Sequence, residues 1–231
     1  MKINGLLKLT LLDYPGKTAC TVFTHGCNMR CGFCHNASLV CKDGAGTEIP
    51  QQEITDFLAK RKNLLDGVCV SGGEPLLQPD IEDFIYKIKS EGFLVKLDTN
   101  GTQPQKLRRL AEQKLVDYVA MDIKNSPGLY PETVGVENFD IAPVKESAEF
   151  LLSDAVDYEF RTTLVRGLHT ADSIDEAARF ISGAKSYFLQ CFVDSGDLIQ
   201  GEGLSAFTPE EMQEFLKIVT THVKKAALRG V

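Results

Sequence analysis

Residues 24–36 read THGCNMRCGFCHN and carry three cysteines, Cys27, Cys31 and Cys34, spaced C-x3-C-x2-C. Neither a helix nor a strand brings three side chains at that spacing to one point, whereas a loop wrapped around an object does. Thiolates are soft ligands, and sets of them select iron–sulfur clusters, zinc or copper(I) over hard cations. A structural zinc site takes four protein ligands, and a [4Fe–4S] cube normally takes four thiolates. Three cysteines would leave one iron of such a cube open to a small molecule. A zinc knuckle completed by Cys20, Cys41 or His35 is the plainer alternative.

Further polar residues fall at the ends of short apolar runs. Ser71-Gly72-Gly73-Glu74-Pro75 offers two glycines that let backbone approach a ligand, and Glu74 adds a carboxylate. No Lys-Ser/Thr follows the glycines, so a phosphate-binding loop is a poor reading. Asp98-Thr99-Asn100-Gly101 and Asp122-Ile123-Lys124 place two acids at adjacent strand ends. Such acids repel unless a cation lies between them, and oxygen ligands suit an alkali or alkaline-earth ion. A plain salt bridge of Lys124 with Asp98 or Asp122 competes with that reading. Arg161 is able to fork onto a carboxylate, while Arg166 and His169 are weaker candidates, expected at the surface near the mouth. Cys20, Cys69 and Cys191 lie in apolar runs and are expected as small core residues. Cys41 is unassigned.

The spacing Cys27-x3-Cys31-x-Phe33-Cys34 resembles the signature of the radical S-adenosylmethionine (SAM) superfamily. The wider string from Gly26 to Asn36 resembles the activating enzymes of glycyl-radical enzymes. The resemblance implies a [4Fe–4S] cluster on the three cysteines, SAM on its open iron, and reductive cleavage of SAM to a 5′-deoxyadenosyl radical that abstracts a hydrogen. Ser71–Pro75 looks like the motif that holds SAM's amino group. The implied SAM-binding set is Phe33, His35, Gly72, Gly73, Glu74, Pro75, Asp98, Asn100, Asp122, Lys124, Arg161 and Gln190. By resemblance to formate-lyase activases, Asp98, Thr99, Asp122 and the carbonyl of Ala120 would hold a monovalent cation. The sixth strand departs from those enzymes, because Val193 stands where they carry a histidine beside the adenine. The resemblance implies that the hydrogen comes from a glycine Cα of a partner enzyme, with a flavodoxin or ferredoxin-like electron donor. Within the group, GLLKLTLLDYPGK and RTTLVRGLHT look most like the activating proteins of anaerobic ribonucleoside-triphosphate reductases. Activation of a formate lyase or a diol or choline lyase, a small-molecule radical SAM enzyme such as a deazaguanine synthase, and a zinc-binding interaction module stay open.

These residues need a frame. Residues 6–12 alternate with period two as a strand ended by the turn Asp13–Gly16, and 42–50 is turn-like. Strands are expected at 19–24, 67–70, 93–97, 116–123, 158–165 and 186–192. Helix faces recur between them, as at Ile81, Phe84, Ile85 and Ile88. Thr208-Pro209-Glu210-Glu211 opens a last helix running to Val223. Six strands alternating with helices or, after the first, with the cysteine loop imply a parallel sheet covered by helices. Six units are too few for an eight-unit barrel. The expected fold is therefore α/β, a partial (β/α)6 barrel of the radical SAM kind. It spans 1–231 as one domain, with an N-terminal extension at 1–18, a cluster loop at 24–41 and an irregular loop at 125–140 near the mouth.

The chain has 231 residues, 43% hydrophobic and 25% charged, enough to bury a core without staples. A net charge of −7 argues against general affinity for nucleic acid. Seven cysteines, an odd number, point to reduced thiols rather than a disulfide framework. No signal-type apolar segment or membrane-length stretch is present, so a cytoplasmic protein away from membranes is expected. No second C-x2-C group exists to carry an auxiliary cluster.

Overall fold

The computed structural model describes residues 1–41 and 48–231. The turn expected over 42–50 lies, as far as residue 47, outside the described residues. Among the described residues eight strands form one sheet: β1 (Ile3–Thr10), β2 (Ala19–Thr24), β3 (Gly67–Gly72), β4 (Leu94–Thr99), β5 (Tyr118–Asp122), β6 (Asp157–Leu164), β7 (Tyr187–Cys191) and β8 (Ala226–Arg229). Their order in the sheet is their order in sequence. β1 runs antiparallel to β2, and every later pair is parallel. Each crossover therefore steps one strand in the same direction. Right-handed crossovers repeated this way curl the sheet with its helices outside. β1 and β8 end the sheet without pairing to each other, so the barrel stays open.

Among the described residues eight α-helices accompany the strands: α1 (Ala37–Val40), α2 (Gln51–Lys60), α3 (Ile81–Ser90), α4 (Pro104–Glu112), α5 (Tyr130–Val134), α6 (Ala142–Leu152), α7 (Ala171–Phe180) and α8 (Pro209–Thr220). Alternation along each strand divides the labour. Val68, Val70, Val95, Leu97, Val119, Met121, Phe160 and Leu189 point under the helices and are buried in one core. The intervening positions carry the polar residues, with Asp98 beside Ala120 and Asp122 beside Arg161 in the ladders. Buried Ile81, Phe84, Ile85 and Ile88 form the α3 face foreseen from their spacing. Thr208 and Glu211 cap α8 reciprocally, each side chain accepting the other's backbone N–H.

The six parallel strands β2 to β7 stand where the alternation put them. Three features differ from expectation. β1 covers residues 3–10 rather than 6–12, leaving Leu11 and Leu12 exposed beyond it. β8 follows α8 as a short parallel edge strand of half-buried residues, too short to stand out after a strong helix pattern. The segment 125–140, expected to be irregular, contains a 3-10 turn at Pro127–Leu129 and then α5. Pro127 and Pro131 each occupy a first-turn position, where a missing N–H costs nothing. Tyr130 and Val134 are fully buried, so this segment is packed rather than irregular, and Val134 accepts from the Arg30 amide of the cysteine loop at 2.7 Å.

Candidate functional site

β2 delivers the chain into the cysteine loop, and that loop is tied to its surroundings mainly through backbone. The Gly26 amide donates to Leu39 at 2.7 Å, and the Gly26 carbonyl accepts from Glu74 at 2.8 Å. The Arg30 amide donates to Val134 of α5 at 2.7 Å, and Gln200 donates to the Gly32 carbonyl at 3.0 Å. Between these ties Cys27, Cys31 and Cys34 all line one cavity of about 290 Å³. Cys27 Sγ accepts from the Met29 amide at 3.3 Å and from Asn100 Nδ2 at 3.7 Å. N–H donors aimed at sulfur favour a thiolate ligand. Burial pushes all three thiols up, Cys31 to about 11, against the pull of nearby Lys124. Ligation by a metal would therefore displace protons.

The opposite wall comes from strand ends. Gly72 ends β3, and Gly73 follows it, directly against the loop. A Cβ on Gly73 would collide with the Gly26 carbonyl, and Gly72 holds φ +120° with Thr24 backbone where a Cβ would stand. Both positions therefore require glycine. Asp98, Thr99 and Asn100 of the β4 end, Asp122 ending β5 and Lys124 just after it, Arg161 and Thr163 of β6 and Gln190 of β7 line the cavity, with Phe33 and His35 from the loop.

Charge alternates along this wall. Lys96 pairs with Asp98. Arg161 reaches Asp98 at 3.5 Å and Asp122 at 3.0 Å, and Lys124 meets Asp122 at 2.9 Å. Burial alone would raise the Asp98 carboxyl, but Arg161 and then Lys96 outweigh it and hold it down to about 2. Asp122 is held low the same way, by Arg161 and then Lys124 against burial. Burial also works against the charge on Lys124, but Asp122 and the nearby thiols hold it protonated. His35 is lowered by burial and then by Lys124. It stands edge-on to Phe192, ring centroids 5.8 Å apart.

Several expected site residues lie elsewhere. Glu74 is buried and does not line the cavity. It accepts from Leu76 N at 3.1 Å, Thr99 Oγ1 at 2.9 Å and Asn100 N at 2.6 Å, so it clamps the β3 and β4 ends together. Burial lifts its carboxyl to about 7 against those hydrogen bonds. Pro75 is buried in a 3-10 turn, and Ala120 is a ladder residue; neither lines the cavity. Arg166 pairs with Glu211 and lies over Phe207, away from the cavity. His169 is a buried histidine rather than a surface one. Its Nδ1 faces the Val165 amide at 3.0 Å, and its Nε2 faces the Lys124 carbonyl at 2.8 Å. Val193 is exposed off the cavity. Cys191, expected in the core, is half-buried and lines the cavity, as do Ser71 and Thr163. Lys96 was missed altogether, although a lysine at a strand's inward position, two before an aspartate, was a readable signal.

Known proteins resolve what such a cavity belongs to. The family model of the Radical SAM superfamily matches residues 21–181. A Methanocaldococcus jannaschii protein with the provisional name glycyl-radical enzyme activating enzyme MJ1227 is 31% identical over 99% of this chain and 96% of its own length. The chain belongs to the radical SAM superfamily and, within it, to the glycyl-radical enzyme activating family. A pyruvate formate-lyase-activating enzyme of Listeria monocytogenes is 34% identical over 65% of this chain and 63% of its own. Among solved structures, Streptococcus suis SuiB bound to its precursor peptide SuiA superposes with a TM-score of 0.70 at 15% identity. That match covers 91% of this chain and 48% of SuiB, a likeness of fold alone.

The residues present fit a radical SAM cluster. Among the described residues no three histidine, cysteine or carboxylate groups converge closely enough for a single metal ion. The three thiols line one cavity, with hydrogen-bond donors on Cys27, and three soft ligands leave a cluster one position open for a small molecule. A zinc knuckle closed by Cys20 finds no support, since Cys20 is buried in β2. Among the described residues no helix is long and apolar enough to cross a membrane.

Proposed function

We propose that this radical SAM enzyme activates a partner glycyl-radical enzyme by abstracting a hydrogen from a glycine Cα. Anaerobic ribonucleoside-triphosphate reductase is the favoured partner. The observation that carries the reading is the sharing of one cavity by the three thiols and the alternating charges of Asp98, Arg161, Asp122 and Lys124. Cys27, Cys31 and Cys34 would hold the [4Fe–4S] cluster. When bound, that cluster supplies the electron that breaks a carbon–sulfur bond of SAM and leaves a 5′-deoxyadenosyl radical. A flavodoxin or ferredoxin-like protein would supply the electron.

This chain's own residues bind and orient. SAM is a zwitterionic amino acid at one end. Lys124 and Arg161, charged and already fixed by Asp122, suit its carboxylate. The backbone at Gly72 and Gly73 suits close approach of its amino group. Phe33, His35, Asn100 and Gln190 line the remaining space, and burial of the wall keeps water from the reacting atoms. No side chain is asked to act as base or nucleophile.

The N-terminal GLLKLTLLDYPGK and the segment RTTLVRGLHT favour the reductase as partner. The Listeria relative favours a second reading, activation of a formate-lyase-type enzyme. One experiment separates them. Anaerobically reconstituted protein, SAM and reductant are mixed with each candidate, and a glycyl-radical doublet is sought by EPR. A doublet on the reductase supports the first reading, and a doublet on the lyase alone replaces it. SAM cleavage driven by a free metabolite, with no doublet on any glycyl-radical protein, would retire both.

A further inference from the structure

Resemblance to formate-lyase activases puts a monovalent cation between the β4 and β5 ends, on Asp98, Thr99, Asp122 and the Ala120 carbonyl. The donors do not fit such an ion. One oxygen of Asp98 accepts from Lys96 Nζ, and the other accepts from Ser71 Oγ at 3.0 Å and faces Arg161 at 3.5 Å. The two oxygens of Asp122 accept from Arg161 Nε at 3.0 Å and from Lys124 Nζ at 2.9 Å. Thr99 Oγ1 donates to Glu74 at 2.9 Å and accepts from the Gly101 amide at 3.1 Å. Ala120 does not line the cavity. Three positive side chains already meet two negative ones. The one surplus positive charge suits a carboxylate ligand, and a metal cation would add repulsion that nothing balances.

Lys96 is the unusual member. It is 1% exposed and interrupts the apolar run Leu94-Val95-Lys96-Leu97, and among the described residues its ammonium donates to Asp98 and to the Cys69 sulfur, the latter at 3.8 Å. An ammonium so buried is tolerated only when paired. We propose that Lys96 is a positioning residue that takes the place of a bound cation, neutralising Asp98 from inside the barrel so that the carboxylate-binding end of the site is complete without a metal ion. This rests on the reading that SAM binds here.

The test compares sodium, potassium and tetramethylammonium chlorides at equal ionic strength, in two measurements. The first is thermal unfolding of the cluster-free protein. Wild type is expected to melt at one temperature in all three salts. Lys96→Met keeps the aliphatic stem but removes the charge. It is expected to melt lower in tetramethylammonium and to recover in sodium or potassium, whose ions are small enough to enter the vacated place. The second measurement is SAM affinity of the reconstituted protein by calorimetry. Wild type should be indifferent to the salt, and Lys96→Met should bind about tenfold more weakly in tetramethylammonium, with sodium or potassium restoring affinity. Specific stabilisation of wild type by sodium or potassium would overturn the proposal. So would a Lys96→Met protein that no cation rescues, because Lys96 is then an ordinary ion pair. If Lys96→Met does not fold, the wild-type salt comparison still decides. If wild type binds no SAM in any salt, the SAM reading falls, while the unfolding data still judge Lys96.

Discussion

At the scale of single residues the site is a set of groups that hold one another's charge. Asp98 sits at about 2 in the folded chain against 3.8 ordinarily, because Arg161 and Lys96 overcome the effect of burial. A depressed carboxyl stabilises the fold above its ordinary value and loses that contribution as pH falls toward the folded one. About 2 kcal/mol should therefore be present above pH 4 and fade by pH 2. Acid unfolding of Asp98→Asn should be flatter than wild type across that window. At neutral pH the same substitution strands the Lys96 ammonium and should cost about 3–5 kcal/mol, seen as a lower urea midpoint. Glu74→Gln puts an amide NH2 where one carboxylate oxygen now accepts from Asn100 N at 2.6 Å or from Leu76 and Thr99. It should lose about 1–3 kcal/mol and loosen the β4 end. That Cys27, Cys31, Cys34, Asp98, Asp122 and Arg161 would gather in one place was legible from their types and spacing, and all six line the cavity. The role of Glu74 was not, because a sequence does not say which way a carboxylate turns. Lys96, two residues before Asp98 on the same inward face of β4, was readable but was passed over.

Among the elements, the closest fit is between the cysteine loop and the β3 end. Gly73→Ala would drive a methyl into the Gly26 carbonyl. Overpacking of this kind costs about 1–3 kcal/mol. Because it also displaces the loop that carries Cys27, the variant should bind less iron on reconstitution than its loss of melting temperature would explain. At the far end of the chain, Thr208→Ala removes one half of the α8 capping box. It should cost about 1 kcal/mol and leave iron content unchanged, which makes it a control for stability alone. Strand and helix alternation was legible from β2 to α8 because hydrophobic periodicity is strong there. The α5 segment was hidden by its prolines, and β8 by its length. The stretch 194–207 was not singled out. It lacks regular elements apart from one bridge between Ser205 and Arg166. Its Gln200 nonetheless ties down Gly32 of the cysteine loop, a contact between residues far apart in sequence that no local pattern announces.

On the scale of the whole molecule, the open sheet brings every site element to one side. Strand order equals sequence order, so the polar ends of β3 to β7 converge beside the loop that follows β2. The expectation of a partial barrel followed from counting units and β1 from its period-two alternation, while the edge strand β8 was not foreseen. The most direct test is SAM cleavage by anaerobically reconstituted, reduced protein, measured as 5′-deoxyadenosine formed, for wild type and for Cys27→Ala, Cys31→Ala and Cys34→Ala. Wild type should produce 5′-deoxyadenosine and each variant none, with cluster iron lost in step. Undiminished SAM cleavage by any one variant that still holds its iron would contradict a centre built on these three thiols.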